Sequence, residues 1–219
     1  MLGWLGLPFE VVDHGIDESE YRDSNGKEMV KSLSLAKAYG GLGGIRPLNK
    51  NKQVESKGYS FLTDINRNSQ EKALVIGSDL TVELNGKTYD KPKDLNDAKR
   101  ILKVLSGKTH VIYCGVAVVD AKTEKAVVSV DSVEVKMKDY DEKIVDEYIK
   151  KFEVLDKGAS YSIQFELPEY GSLVEKIDGN MTAIIGLPME YLVNLLKEFE
   201  VTNLEDWRKI CKEEMGYDG

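Results

Sequence analysis

The stretch LVIGSD, residues 74–79, places a carboxylate at the end of an apolar run. Beside Gly77 and Ser78, Asp79 can bind a metal ion or take a proton from water. It can equally be an aspartate that caps a turn where a strand stops. Further on, DKP (residues 90–92) holds Lys91 extended, because proline restricts the residue before it. An ammonium with a fixed exit direction suits phosphate, and a solvated loop lysine carries the same signature. A third candidate is DKGASYSIQ, residues 156–164, where Lys157 and Gln164 bracket Gly158, Ala159, Ser160 and Ser162. Small residues let backbone approach a ligand, and a glutamine amide can read a base edge as both donor and acceptor. The alternative is a Gly/Ser loop entering a strand. Glu18 in GIDESE and Lys37 on its helix read, singly, as solvated surface charges.

Several chemistries are excluded. Neither a nucleophile elbow, nor a Walker-type loop, nor a dinucleotide fingerprint occurs. YGGLGG, residues 39–44, looks like a phosphate loop but follows a helix rather than a strand. With only His14 and His110, a histidine-rich zinc or iron site is ruled out, so a metal would need carboxylates and would be magnesium or manganese. Cys114 and Cys211 match no metal or redox spacing and read as free thiols of a reducing compartment. The net charge of −8 comes with no dense basic patch, which argues against nucleic acid. A few focused lysines can still hold a small anion. The apolar start lacks a basic leader and is broken by Gly6 and Pro8, and no run reaches the ~20 apolar residues of a membrane span. A soluble, cytoplasmic protein of one domain, with room for two lobes, is the expectation.

The elements that must position these groups follow from periodicity. Leu2, Trp4, Leu5 and Leu7 give a short apolar helical turn, and residues 9–12 a strand. Residues 26–39 place Met29, Leu33, Ala36 and Lys37 at helical spacing, with Gly40, Gly41, Gly43 and Gly44 as a stop. Residues 45–72 read as a long surface loop or insertion with at most a short helix. KALVIGSDLTVEL is a strand that emerges at Asp79, and the NGK after it is a hairpin turn. DLNDAKRILKVLSG is the clearest helix, with Asp94 or Asn96 as cap and Ala98, Ile101, Leu102 and Leu105 as its stripe. Residues 110–137 read as a long hairpin, 140–152 as an amphipathic helix, 173–179 as a strand and the rest as closing helices. The order predicts an α/β fold with a mixed sheet.

In their joint order the pieces say more. LGLPFEVV, IDE, LAKA, VIGSD, NGK…DKP, DAKRILKVLSGKTH, DKGASYSIQ and IIGLP follow one another over residues 1–199. This resembles the Maf family of nucleoside triphosphate pyrophosphatases. The resemblance implies a mixed twisted sheet with flanking helices and two lobes around a cleft, similar to the inosine triphosphate pyrophosphatase fold. It implies a domain over 1–199 with an insertion at about 40–72, and a C-terminal helical extension over 200–219. It implies hydrolysis of a nucleoside triphosphate to monophosphate and pyrophosphate, a divalent cation (Mg2+ or Mn2+) and a homodimer.

By the same resemblance, Asp79 accepts the proton of the attacking water and lies near the metal. Lys91 is a phosphate ligand, and Glu18, Lys37, Lys157 and Gln164 line the site, Gln164 toward the base. Leu80 stands where the family has threonine, a position associated with substrate choice. Gly158-Ala159 reverses the usual pair, and Phe165 replaces the usual glycine. Ile163-Gln164 leans toward the branch acting on dTTP and UTP rather than on 7-methyl-GTP. A non-catalytic nucleotide-binding or cell-division regulator on the same fold is the competing expectation, since members are linked to septum formation. In the resembled family a strand and a Ser- and Arg-containing phosphate loop precede the opening turn; this sequence lacks that segment, so the expectation is either a start that lies upstream of Met1, the favoured reading, or an N-terminally truncated relative.

Overall fold

The computed structural model describes residues 1–45, 60–63, 73–161 and 173–216. A seven-stranded sheet organises them. Its order is β1 (Phe9–Val12), β2 (Ser60–Thr63), β3 (Leu74–Leu84), β5 (Thr109–Asp120), β6 (Ala126–Met137) and β7 (Val174–Asp178), with β4 (Lys87–Tyr89) paired to the end of β3. The helices are α1 (Gly26–Ile45), α2 (Leu95–Leu105), α3 (Glu142–Lys151), α4 (Met181–Ile184), α5 (Met189–Lys197) and α6 (Trp207–Met215).

The α/β class and the flanking helices are as expected. The ladders between the described strands are antiparallel throughout, so the parallel part of the expected mixed sheet is not among them. Chain routing explains this. After β3 the chain turns through β4 and α2 and re-enters as β5 beside the end it left, pairing Glu83 with Val111. The β3–β4 turn has positive φ at Asn85 (53°) and Gly86 (74°), the conformation that the NG pair in NGK favours. Asp94 caps α2 by accepting from the Asp97 N–H, and Ala98, Ile101, Leu102 and Leu105 are buried as the stripe predicts.

Strand β3 divides the core by residue parity. Its even face carries Leu74 and Ile76 into one apolar cluster with α5, α6 and the N-terminal turn. Further along the same face Val82 and Leu84 enter a second cluster with α2 and α3. Ser78 and Leu80 lie between the two. The odd face is covered by α1, whose Ala38 and Leu42 pack with Val75, Ala117 and Val119.

Two expectations are corrected. The glycines after Tyr39 do not stop α1, which continues to Ile45. Gly40 serves close packing instead: a Cβ there would lie 2.0 Å from the His14 carbonyl oxygen. Only a glycine lets the 13–16 segment lie against the helix, and that contact offsets glycine's helical cost of about 1 kcal/mol. The 45–72 segment contributes a strand, β2, which fills the gap between β1 and β3. A short strand framed by polar residues shows no sequence period strong enough to read.

The 200–219 segment carries α6, whose Trp207 and Cys211 are buried with Leu2 and Leu5. The Trp4 indole N–H donates to Glu214, and the Glu205 N–H to the Leu5 carbonyl. Among the described residues no helix is long and apolar enough to cross a membrane.

Candidate active site

The site begins with how closely α1 approaches the sheet. Gly77 precedes Asp79 by one place on the same face, and Gly115 sits directly across from Asp79 on β5. A Cβ on Gly77 would lie 2.3 Å from the Ser34 carbonyl oxygen, and one on Gly115 2.4 Å from that of Val30. Helix backbone therefore rests on sheet backbone at these two points. The approach carries Lys37 to Asp79, with Nζ 2.6 Å from Oδ1. Each side chain of the pair is only 12% exposed.

The start of α1 is fixed at the same face. Asn25 accepts from the Glu28 N–H, and the Glu83 carboxylate accepts from the Gly26 N–H. A carboxylate at a helix N-terminus meets the positive end of the helix dipole.

A second carboxylate reaches Lys37 from the other side. Glu18, opening a 3-10 turn over Glu18–Tyr21, lies 3.0 Å from the same Nζ. Asp17 caps that turn through the Ser19 N–H and hydroxyl. Behind Glu18, the buried His14 accepts from the Ile16 N–H at Nδ1, which puts its proton on Nε2, 3.7 Å from the Glu18 carboxylate. Taken singly, Lys37 and Glu18 read as solvated charges, and only the resemblance assigned them to the site. The fold joins them to Asp79 as one ammonium between two carboxylates.

The electrostatics follow from burial and from this triad. Burial pushes the Asp79 carboxyl up; Lys37 pulls it back only in part, and Glu18 adds to the rise. Burial works against the Lys37 ammonium, but Asp79 and Glu18 outweigh it and hold the group protonated above its ordinary value. Burial raises Glu18 as well, yet its hydrogen bond and charge contact with Lys37 leave it below its usual value. His14 is lowered, first by burial and then by Lys37, which favours its neutral form. The centre therefore pairs a strong proton acceptor with a firmly held cation.

Asp79, Lys37 and Glu18 line a cleft of about 920 Å³ that Lys91, Leu80 and Gly186 also reach. Ser78 ties its wall together, its hydroxyl 2.7 Å from the Gly115 carbonyl and 2.8 Å from that of Gly186. Lys91 is 66% exposed, 4.0 Å from Asp156. Lys157 borders an adjoining cavity that shares Leu80 and Gly158 with the cleft. Leu80 thus separates the triad from the Lys157 side, where a change of side chain would be felt. Gln164 and Phe165 lie outside the described residues.

Glu18 and Asp79 are also the residues that could hold a cation. Among the described residues no third His, Cys, Asp or Glu joins them as a metal-binding cluster. Magnesium commonly uses one or two carboxylates, with substrate phosphates and water completing its shell, so two hard oxygen donors on one cleft wall fit that mode of binding.

Comparison with known proteins agrees with this picture. Residues 1–199 match the family described as Maf-like protein. The chain belongs to the Maf family. It is 36% identical over 206 residues to the dTTP/UTP pyrophosphatase of Acetivibrio thermocellus, covering 94% of this chain and 92% of that protein. It is 41% identical to the one from Dictyoglomus thermophilum, with 90% and 88% covered. The Thermotoga maritima dTTP/UTP pyrophosphatase is 35% identical, with 89% and 80% covered.

Sequence reading of this Maf chain missed two groups at the site, Arg22 and His14. Arg22 forms an ion pair with Asp90 on the far side of the cleft. No local pattern marks it, because its partner is 68 residues away. His14 could have been noticed as one of only two histidines, placed just before the GIDE stretch.

Proposed function

We propose that this Maf protein is a hydrolase that converts nucleoside triphosphates, of the dTTP and UTP kind, to the monophosphate and pyrophosphate. The buried Asp79–Lys37–Glu18 triad on the wall of a nucleotide-sized cleft is the observation that carries this reading. The names of the relatives supply the substrate class.

In the reaction, a water oxygen bonds to the α-phosphorus and the bridge from the α- to the β-phosphate breaks. Pyrophosphate leaves with the bridging oxygen. Asp79 takes the water proton; a carboxylate raised by burial accepts a proton better than a free one. Lys37 keeps Asp79 in place and sets a fixed positive charge beside the reacting phosphate. Lys91 and Lys157 meet the outer phosphates from the opposite side of the cleft, Gln164 reads the base and Leu80 limits its bulk. Glu18 and Asp79 would hold a divalent cation, which supplies neutralisation of the phosphate charge. A homodimer in the cytoplasm, with a link to septum formation, completes the proposal.

A pyrophosphate-release screen over standard and modified triphosphates, with magnesium, manganese or cobalt, tests this. Release from dTTP and UTP well above the purine nucleotides is the expected result. Equal binding of nucleotides without release from any of them would replace the enzyme by a nucleotide-binding regulator. Preference for 7-methyl-GTP would place the chain in the other branch.

A further inference from the structure

The charges of the cleft do not suit a polyanion as they stand. Three cations line it, Lys37, Arg22 and Lys91, and three carboxylates face them, Glu18, Asp79 and Asp90. A triphosphate carries close to four negative charges and needs a cation that can leave its partner. Lys37 is held by two carboxylates in a buried setting and is not that cation. Arg22 is 47% exposed and its partner Asp90 51% exposed. Exposed ion pairs contribute little, about 1 kcal/mol or less, so this one opens readily.

We propose that Arg22 is a substrate-binding residue: it rests on Asp90 across the mouth of the cleft and transfers to the triphosphate when the nucleotide enters. Its position fits this role. Arg22 follows the turn that carries Glu18, while Asp90 adjoins Lys91 on the opposite loop. Its charge also reaches both Glu18 and Asp79, placing it on the reacting side of the cleft. A guanidinium fork matches two phosphate oxygens at once, which an ammonium cannot do. The Asp90 carbonyl accepts from the Ala159 N–H, so the loop that holds Asp90 is anchored to the segment bearing Lys157. Asp90 is then a competitor for Arg22 with a fixed position, and it sets how readily the cleft takes an anion.

The inference rests on the pyrophosphatase reading, and the test separates the two. Arg22→Met, Arg22→Lys, Asp90→Asn and the Arg22→Met/Asp90→Asn pair are compared by steady-state kinetics and by calorimetric titration with inorganic triphosphate. Arg22→Met is expected to raise KM about tenfold or more, with a smaller change in kcat, and to weaken triphosphate binding in parallel. Arg22→Lys should recover part of the loss. Asp90→Asn should lower KM below that of the unaltered protein, and this gain should vanish when Arg22 is Met. Unchanged KM and unchanged triphosphate binding in Arg22→Met would overturn the inference and leave the pyrophosphatase reading intact. So would a raised KM in Asp90→Asn. If the unaltered protein releases no pyrophosphate from any nucleotide, the reading fails, and the triphosphate titration still decides the role of Arg22.

Discussion

Two buried polar pairs, one anchored on β3 and the other on the neighbouring β5, have opposite character. Asp79 of β3 meets the Lys37 ammonium at 2.6 Å. His110, at the start of β5, meets the Tyr161 hydroxyl with Nε2 at 2.5 Å. Burial acts on all four groups. At the first pair opposite charges answer it, so the lysine is held protonated above its ordinary value and the rise of the carboxyl is offset in part. At the second pair nothing answers it. Burial lowers His110 to about 4 and raises Tyr161 far above its usual value. Both groups are therefore neutral, and among the described residues His110 Nδ1 has no hydrogen-bond partner. The first pair lines the cleft and the second sits in the apolar cluster with α2 and α3. A buried pair keeps its charge only where another charge is built in beside it, and here that place is the proposed reaction centre.

The largest effect that would break this contrast is on turnover. Asp79→Asn keeps the size and the hydrogen bonding of the side chain but removes the proton acceptor. We expect kcat to fall by about 10²–10⁴-fold while nucleotide still binds, measured by pyrophosphate release and by calorimetry. Full activity in this variant would make the Asp79–Lys37 pair a structural one, no different in kind from His110–Tyr161.

The second effect falls on stability. An unfolded histidine titrates near 6.5, and the folded His110 near 4. Between these values the unfolded chain takes up a proton that the native protein refuses. Stability from this group is therefore complete above about pH 6.5 and is lost as the pH falls toward 4. At about 1.4 kcal/mol per pH unit the loss comes to about 3 kcal/mol. The His110→Phe/Tyr161→Phe double variant removes both polar partners and keeps two rings in place. Denaturant unfolding at pH 7 and pH 4 should show the unaltered protein losing about 3 kcal/mol more than the variant. An equal loss in both would mean that His110 is already charged in the native state, and the contrast with Asp79 would close.

Much of the fold was legible because it is local. The stripe of α2, the Asn85–Gly86 turn, the long hairpin and the emergence of a strand at Asp79 each lie within a few residues of sequence. The site was legible only in part, because it is assembled by contacts between distant segments. Gly40 has the same local appearance as a helix stop, and only the His14 backbone packed against it shows otherwise. Taken alone Lys37 looks solvated, and only the joint order of the motifs assigned it to the site; it falls in register with Val30 and Ser34 on the side of α1 that rests on Gly115 and Gly77. A lysine in a small-residue and apolar stripe is the local signal that agrees with that assignment. Arg22 offered no signal at all, since nothing near it in sequence implies Asp90.

The smallest effect sharpens the comparison from within the triad. Glu18 raises Asp79 by repulsion and also draws on the ammonium that would otherwise serve Asp79 alone. Glu18→Gln removes the negative charge and keeps an acceptor of similar shape. Both consequences favour the ionised form of Asp79, so its proton affinity should fall. If Asp79 is the base, the acid limb of kcat/KM against pH reports its ionisation in the free enzyme, and that limb should move to lower pH in Glu18→Gln. The height of the profile will drop as well where Glu18 helps to hold a cation, but a loss of height does not move the midpoint. A midpoint that moves to higher pH would mean that Glu18 supports the ionised carboxylate rather than opposing it. The ammonium would then belong chiefly to Glu18, and burial alone would govern Asp79 as it governs His110.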